Sequence, residues 1–206
     1  MSLTSPLASE PAEHRRPAGT RDRILDAASE LFYAQGIRAT SADRLIEQVG
    51  ITKVTFYRHF RTKADLVVAY LEQQAAGEEQ AFSRVREGGN AEGAARTIAL
   101  GIGTAACAPG FRGCPFINAS AEFPDPEHPV RLVVDRHRRW MLDLFAGIAA
   151  DAGATDPEAV AGQLMMLRDG AMVSGYLTDP LVVGETLRSA FVSVLASNTG
   201  EARTRA

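Results

Sequence analysis

Gly50-Ile51-Thr52-Lys53-Val54-Thr55-Phe56-Tyr57-Arg58-His59-Phe60 is the stretch whose reading decides the fold. Gly50 ends an apolar-periodic segment, Thr52 is a helix-capping residue, and a short run of helical spacing follows. Phe56 and Phe60 stand four apart and should pack inward. Lys53 and Tyr57, and likewise Thr55 and His59, are donor-bearing pairs at the same spacing on other faces. Just upstream, residues 41–49 predict a second short helix, capped by Thr40 with Asp43 three residues on. Two short helices joined by a tight glycine-containing turn make a helix-turn-helix unit, whose second helix reads DNA. Thr52, at the start of that helix, stands where free N–H groups and the helix dipole favour a phosphate, and Lys63 opens the next helix in the same way.

The charge pattern agrees with this reading once it is split. The whole chain of 206 residues carries a formal net charge of −3. Residues 37–63 hold 6 basic and 2 acidic side chains, a local +4 on an acidic chain. Such a patch steers a protein to phosphate, and the overall isoelectric point conceals it. The only two lysines, Lys53 and Lys63, both fall inside it.

Working outward, residues 21–35 predict a helix between Thr20 as cap and Gly36, with Ile24, Leu25, Ala28, Leu31 and Phe32 on one stripe. A fourth helix opens at Thr62-Lys63-Ala64-Asp65 and is expected to run to about Glu87, where Gly88-Gly89 stops it. Its length would be about 37 Å. Helices are then expected over 91–106, 115–122, 130–152, 157–177 and 180–198. Asp156-Pro157 and Asp179-Pro180 mark two of the starts. Residues 107–113 and 123–129 read as connectors rich in Pro and Gly. The expected class is all-α. Residues 1–19 are expected to form a flexible arm, 20–66 a DNA-binding head, 67–199 a helical body, and 200–206 a disordered tail. No apolar run is long enough to span a bilayer, and no signal-peptide pattern precedes the head, so the cytoplasm is the expected location and no membrane partner is expected. The two cysteines, Cys107 and Cys114, form no disulfide framework.

Residues 20–71 resemble the N-terminal domain of the TetR family of bacterial repressors. The resemblance rests on Ile24-Leu25-Asp26-Ala27-Ala28, Leu31-Phe32, Gly36, Ala39-Thr40-Ser41, Gly50-Ile51-Thr52, Phe56-Tyr57-Arg58-His59-Phe60 and Lys63-Ala64-Asp65-Leu66. It implies that Ser41, Thr52, Lys53, Thr55, Tyr57, His59 and Lys63 stand at DNA-contacting positions. Tyr57, His59 and Lys63 would mainly hold phosphate, while Lys53 and Thr55 lie where base edges are read. Thr40 and Arg44 join the candidate set, with Arg15 and Arg16 of the arm as further phosphate contacts. Val54 departs from the usual small residue or proline; it either meets a thymine methyl or packs. The resemblance also implies a homodimer on a near-palindromic double-stranded operator, released when a small-molecule effector in the body moves helix 4. The reading is therefore a ligand-responsive repressor rather than an enzyme, needing no cofactor or metal. The alternatives are an activator or global regulator on the same fold, or a binding protein or enzyme with a vestigial head.

The effector itself is not legible. Phe82, Phe111, Cys114, Phe116, Trp140, Met141, Phe145, Met165, Met166 and Met172 are candidates to line a pocket, although large apolar residues at helical spacing also serve as plain core. Cys114 precedes Pro115, so it would cap a helix whose N-terminus favours a thiolate. A similar Gly-Cys-Pro/Leu-x-x-Asn stretch occurs in TetR-like regulators, some of which respond to electrophiles or oxidants. The competing reading is a small buried residue. For dimerisation, Gly162, Met166, Gly170 and Val173 on one helix and Leu187, Phe191 and Val194 on the next are expected to form a four-helix bundle with the partner. Gly101-x-Gly103-x-x-Ala106 has the spacing of a dinucleotide loop but no preceding strand, and reads as small residues at a helix crossing. His137 is placed on a solvated or acid-paired Arg-His-Arg-Arg face.

Overall fold

In the computed structural model the described residues are 19–82, 84–85 and 90–199. They form nine helices: α1 (Thr20–Gln35), α2 (Ala42–Val49), α3 (Lys53–His59), α4 (Lys63–Phe82), α5 (Ala91–Ala106), α6 (Pro115–Glu122), α7 (Pro129–Asp151), α8 (Pro157–Leu177) and α9 (Pro180–Ser197). No strand occurs among them; a single bridge joins Ala154 to Thr199. The arm with Arg15 and Arg16, the tail, and the expected helix stop at Gly88-Gly89 lie outside the described residues.

The caps explain most of the boundaries. Asp156 and Asp179 accept N–H donors from Ala159 and Leu181, and a proline follows each as the first helical residue. Thr62 and Asp65 cap the start of α4 reciprocally: each backbone N–H donates to the other's side chain at 3.0 Å. Two expected caps are corrected. Helix α1 starts on Gly19, whose N–H donates to Asp22 at 3.2 Å, rather than on Thr20. Helix α2 starts on Ser41, which accepts the Arg44 N–H at 3.1 Å. Thr40 is instead fully buried, its hydroxyl facing the carbonyl oxygens of Gly36 at 2.9 Å and Leu31 at 3.3 Å. It ties the α1–α2 turn together from inside. Helix α4 ends at Phe82, one turn or more short of the expected Glu87.

Helices α1–α3 close on Ile24, Leu31, Phe32, Leu45, Phe56 and Phe60. Helix α4 runs from this group into the rest of the protein, packing on α1 at one end and on α7 along its length. Helix α5 lies on α9, and α8 packs between α7 and α9. The expected small-residue crossing is found there. A Cβ on Gly103 would sit 2.8 Å from the Cα of Gly184, so the backbones of α5 and α9 touch. Phe145 and Phe191 meet edge to face at 5.6 Å in the interior beneath them.

Candidate DNA-binding site and the body behind it

Helix α3 is held by its buried side. Phe56 is fully buried, Phe60 nearly so, and the guanidinium of Arg21 lies over the Phe60 ring at 5.2 Å. The first turn is fixed by Thr52, which accepts the Thr55 N–H at 3.1 Å while the two hydroxyls stand 2.9 Å apart. With the buried side fixed, the other face is presented to solvent. Val54 is 81% exposed and Tyr57 41% exposed. Lys53 is exposed and reaches Asp43 of α2 at 3.3 Å, a solvent-exposed contact that costs little to break. Thr55 and His59 are half-buried at the flanks of this face. Arg58, absent from the sequence-based set, is exposed beside Tyr57.

The remaining candidates frame α3. Ser41 and Arg44 occupy the start of α2, with Arg44 3.5 Å from Glu47 in an exposed contact. Lys63 is half-buried at the start of α4; burial lowers its pKa, and the carboxylate of Glu122 opposes that shift. Thr40 faces the interior and is removed from the set of side chains able to meet a ligand outside.

Two contacts unforeseen from the sequence join α1 to α6 and the loop before it. The Glu122 carboxylate, at the end of α6, accepts the backbone N–H of Ile37 at 2.9 Å and of Arg38 at 2.6 Å. The Arg38 guanidinium returns a bond to the Glu122 carbonyl at 2.6 Å. At the other end of α6, the Tyr33 hydroxyl accepts from the Arg112 N–H at 2.9 Å and donates to the Gly113 carbonyl at 3.0 Å. The loop before α6 is thus clasped to α1, and the finish of α6 to the α1–α2 turn. No local sequence signal announces these pairs, which join residues about eighty positions apart.

The body contains a buried polar cluster. Arg168 on α8 is 2% exposed. Its guanidinium donates to the Cys114 sulfur at 3.2 Å and to Asp169 at 3.1 Å, and lies 3.8 Å from Glu78 of α4. Burial alone would lower the pKa of Arg168, but Cys114, Glu78 and Asp169 around it raise it above the ordinary value. His137 shares the same Glu78 oxygen at 2.9 Å and stacks on Phe116 with ring centroids 3.6 Å apart. His137 is therefore not solvated but buried and paired with an acid. Cys114 caps α6 as expected but is itself buried against Arg168.

The pocket candidates are divided among the core, one cavity and the surface. Cys114, Phe116, Met141, Phe145, Met165 and Met172 are buried. Trp140 tilts against His137 at 5.6 Å. The half-buried Phe82 would meet a side chain placed at Gly101 at 3.6 Å. Phe111 and Met172 line a cavity of about 520 Å³ between α1, α4 and the loop before α6. Met166 is 77% exposed and lines a surface groove between α8 and α9. In the dimerisation set, Leu187 and Phe191 face inward and are buried within the protomer, so neither is available to a partner. Val194 is half-buried against the core. Met166, Gly170 and Val173 do face out, and Leu177, Leu181 and Val182 are further exposed apolar residues of α8 and α9.

A short capped helix with one buried and one presented face, set after a tight turn, defines a helix-turn-helix protein. Residues 24–70 match the family model described as bacterial regulatory proteins, tetR family. Among solved structures, a TetR-family transcriptional regulator from Streptomyces coelicolor shares 41% identity, covering 87% of this chain and 96% of that one, with a TM-score of 0.84. The chain belongs to the TetR family of transcriptional regulators. These are DNA-binding proteins without enzymatic activity. Curated relatives match over a shorter stretch. The regulator YvkB of Bacillus subtilis is 39% identical over 57 residues, 28% of this chain and 30% of its own length. The transcriptional activator FasR of Mycolicibacterium smegmatis is 36% identical over 53 residues, 26% of this chain and 24% of its own. The chain thus matches less than a third of either relative. Among the described residues, no helix is long and apolar enough to cross a membrane.

Proposed function

We propose that this protein is a homodimeric, ligand-responsive repressor that works in the cytoplasm, holding a near-palindromic operator through α3 and releasing it when a small molecule binds the body. Residues 20–66 act as the DNA-binding head and 67–199 as the ligand-binding and dimerisation body. The observation that carries this is the presented face of α3. Val54 is 81% exposed on a helix whose other side is locked by Phe56 and Phe60. An exposed branched apolar residue flanked by Lys53 and Tyr57 suits a major-groove surface, where a thymine methyl takes apolar contact and donors meet base edges or phosphate. Ser41, Arg44, Thr52, Thr55, His59 and Lys63 supply the surrounding contacts.

Dimerisation rests on the outward faces of α8 and α9. Met166, Leu177, Leu181 and Val182 are each more than 60% exposed, and Met166 and Val182 line one groove between the two helices; exposed apolar residues in such number mark an interface. Gly162 and Gly170 have no neighbour at their Cβ positions, which leaves room for a close helix approach. The test is selection of binding sites from random duplexes, followed by a mobility shift titrated with salt. Recovery of a two-fold-related sequence with a steep negative salt slope supports the reading; absence of any enriched sequence overturns it. The match to a named activator favours activation as the second reading. A reporter on the selected site separates the two: expression falling in the presence of the protein is repression.

A further inference from the structure

Asp43 is an acid on a face suited to phosphate. Residues 37–63 hold Asp43 and Glu47 as their two acids, against six basic side chains. A carboxylate brought near phosphates weakens binding to every sequence alike. The place of Asp43 in the first turn of α2 suits the helix dipole, a role that requires no partner. The structure gives it one nonetheless. Glu47 is met by Arg44 within α2 at 3.5 Å, whereas Asp43 reaches across the turn to Lys53 of α3 at 3.3 Å.

That bond uses Oδ1 alone. Among the described residues Oδ2 of Asp43 takes no hydrogen bond, and the Lys53 and Asp43 side chains remain 65% and 78% exposed. An ammonium has three donors, so Lys53 keeps two to spare. The pair therefore offers an acceptor and a donor side by side, next to the exposed Val54. We propose that Asp43 and Lys53 act as a unit that reads one G·C base pair in each half-site. Lys53 donates to guanine, and Asp43 accepts from the N4 amine of cytosine. The inference rests on the proposed role of α3 as the reading helix, and deepens it by adding an acidic reading residue and the base pair it selects.

The match is one of donors, acceptors and spacing. In the major groove guanine O6 accepts and cytosine N4 donates. The two atoms are hydrogen-bonded to each other in the base pair, so they lie about 2.9 Å apart. A donor and an acceptor 3.3 Å apart on the protein complement them. An A·T pair has the same central order, with thymine O4 and adenine N6, but its flanks are unfavourable. The carboxylate would have the adenine N7 acceptor beside it, and the ammonium the thymine methyl. On G·C the ammonium instead gains guanine N7 as a second acceptor. Turning the G·C pair end for end sets the carboxylate against O6 and the ammonium against N4, like against like.

Site selection from random duplexes with the full-length wild type, Asp43→Asn and Lys53→Ala tests the inference. The wild type should enrich a G·C pair at one position of each half-site. Asp43→Asn, which keeps the shape of the side chain and removes its charge, should lose that preference by about tenfold and leave the other positions unchanged. Lys53→Ala should lose the preference at the same position. On duplex of unselected sequence Asp43→Asn should bind about threefold more tightly, because a charge that repels phosphate has gone. An Asp43 that serves only the start of α2 predicts the opposite: weaker binding to all duplexes and an unchanged base preference, which would overturn the inference. Preferences lost at different positions in the two variants would overturn it as well. The regulator reading is judged on the wild type alone. If the wild type enriches no sequence, that reading falls and this inference with it. If it enriches a two-fold-related site that Asp43→Asn selects identically, only the inference falls.

Discussion

The head and the body solve the same packing problem with different materials. Around α1–α3 the interior is apolar, with Thr40 as its buried polar side chain, and charge is kept outside. In the body, Arg168 and His137 are buried and are compensated by Glu78 and Asp169 from α4 and α8. An apolar interior tolerates small shifts, whereas a buried ion cluster has one arrangement in which every charge is partnered. The head is thus set by local rules of capping and spacing, while the body is set by contacts that exist only once distant helices have met.

The sharpest way to break this contrast is at Arg168. Arg168→Ala should destabilise the protein by about 3–5 kcal/mol, because Glu78 and Asp169 would lose their buried partner. Denaturant unfolding measures it, and a loss under 1 kcal/mol would mean that solvent already reaches the cluster. Phe56→Ala should cost about 3–5 kcal/mol by opening a cavity in the head. Its distinguishing readout is location: DNA binding should vanish while the oligomeric state, followed by light scattering, is retained. Glu122→Ala tests the clasp between the two regions. It removes the acceptor of the Ile37 and Arg38 N–H groups, a cost of about 1 kcal/mol because solvent reaches the Arg38 bond. Amide hydrogen exchange should rise in the α1–α2 turn while α8 and α9 stay protected.

Smaller effects sharpen the head alone. Ser41→Ala should cost about 1 kcal/mol as a lost cap. Thermal unfolding would also detect the corrected assignment, since a cap at Thr40 would leave Ser41→Ala nearly silent. Lys53→Ala should leave stability within about 0.5 kcal/mol, as expected of an exposed contact. On DNA it should relax discrimination among selected sites, whereas Lys63→Ala should weaken all sequences alike. Identical profiles for the two variants would contradict the roles assigned to them.

The legibility of the molecule follows the same division. Thr52, Gly50 and the Phe56–Phe60 spacing announce α3 because cap, turn and buried pair all lie within eleven residues. Asp156-Pro157 and Asp179-Pro180 announce α8 and α9 in the same local way. Sequence does not separate Thr40 from Ser41 as the cap, because the two are adjacent and both can cap; only the packing of Leu31 and Gly36 decides between them. Leu187 and Phe191 share the spacing of an interface stripe, but the same spacing serves an inward face, and the position of α5 determines which it is. The Glu78–His137–Arg168 cluster could not be read, since its members lie on three helices with no common motif.

The contact between Gly103 and Gly184 has one more consequence. Two helices that meet backbone to backbone have no side chain between them to yield, so their crossing point serves as a fulcrum. Displacement of α9 at that point can be taken up by rotation about it and not by sliding. Helix α5, whose last turn carries Ala105 into the cavity wall, is joined at that same point to the helix that bears part of the exposed apolar surface.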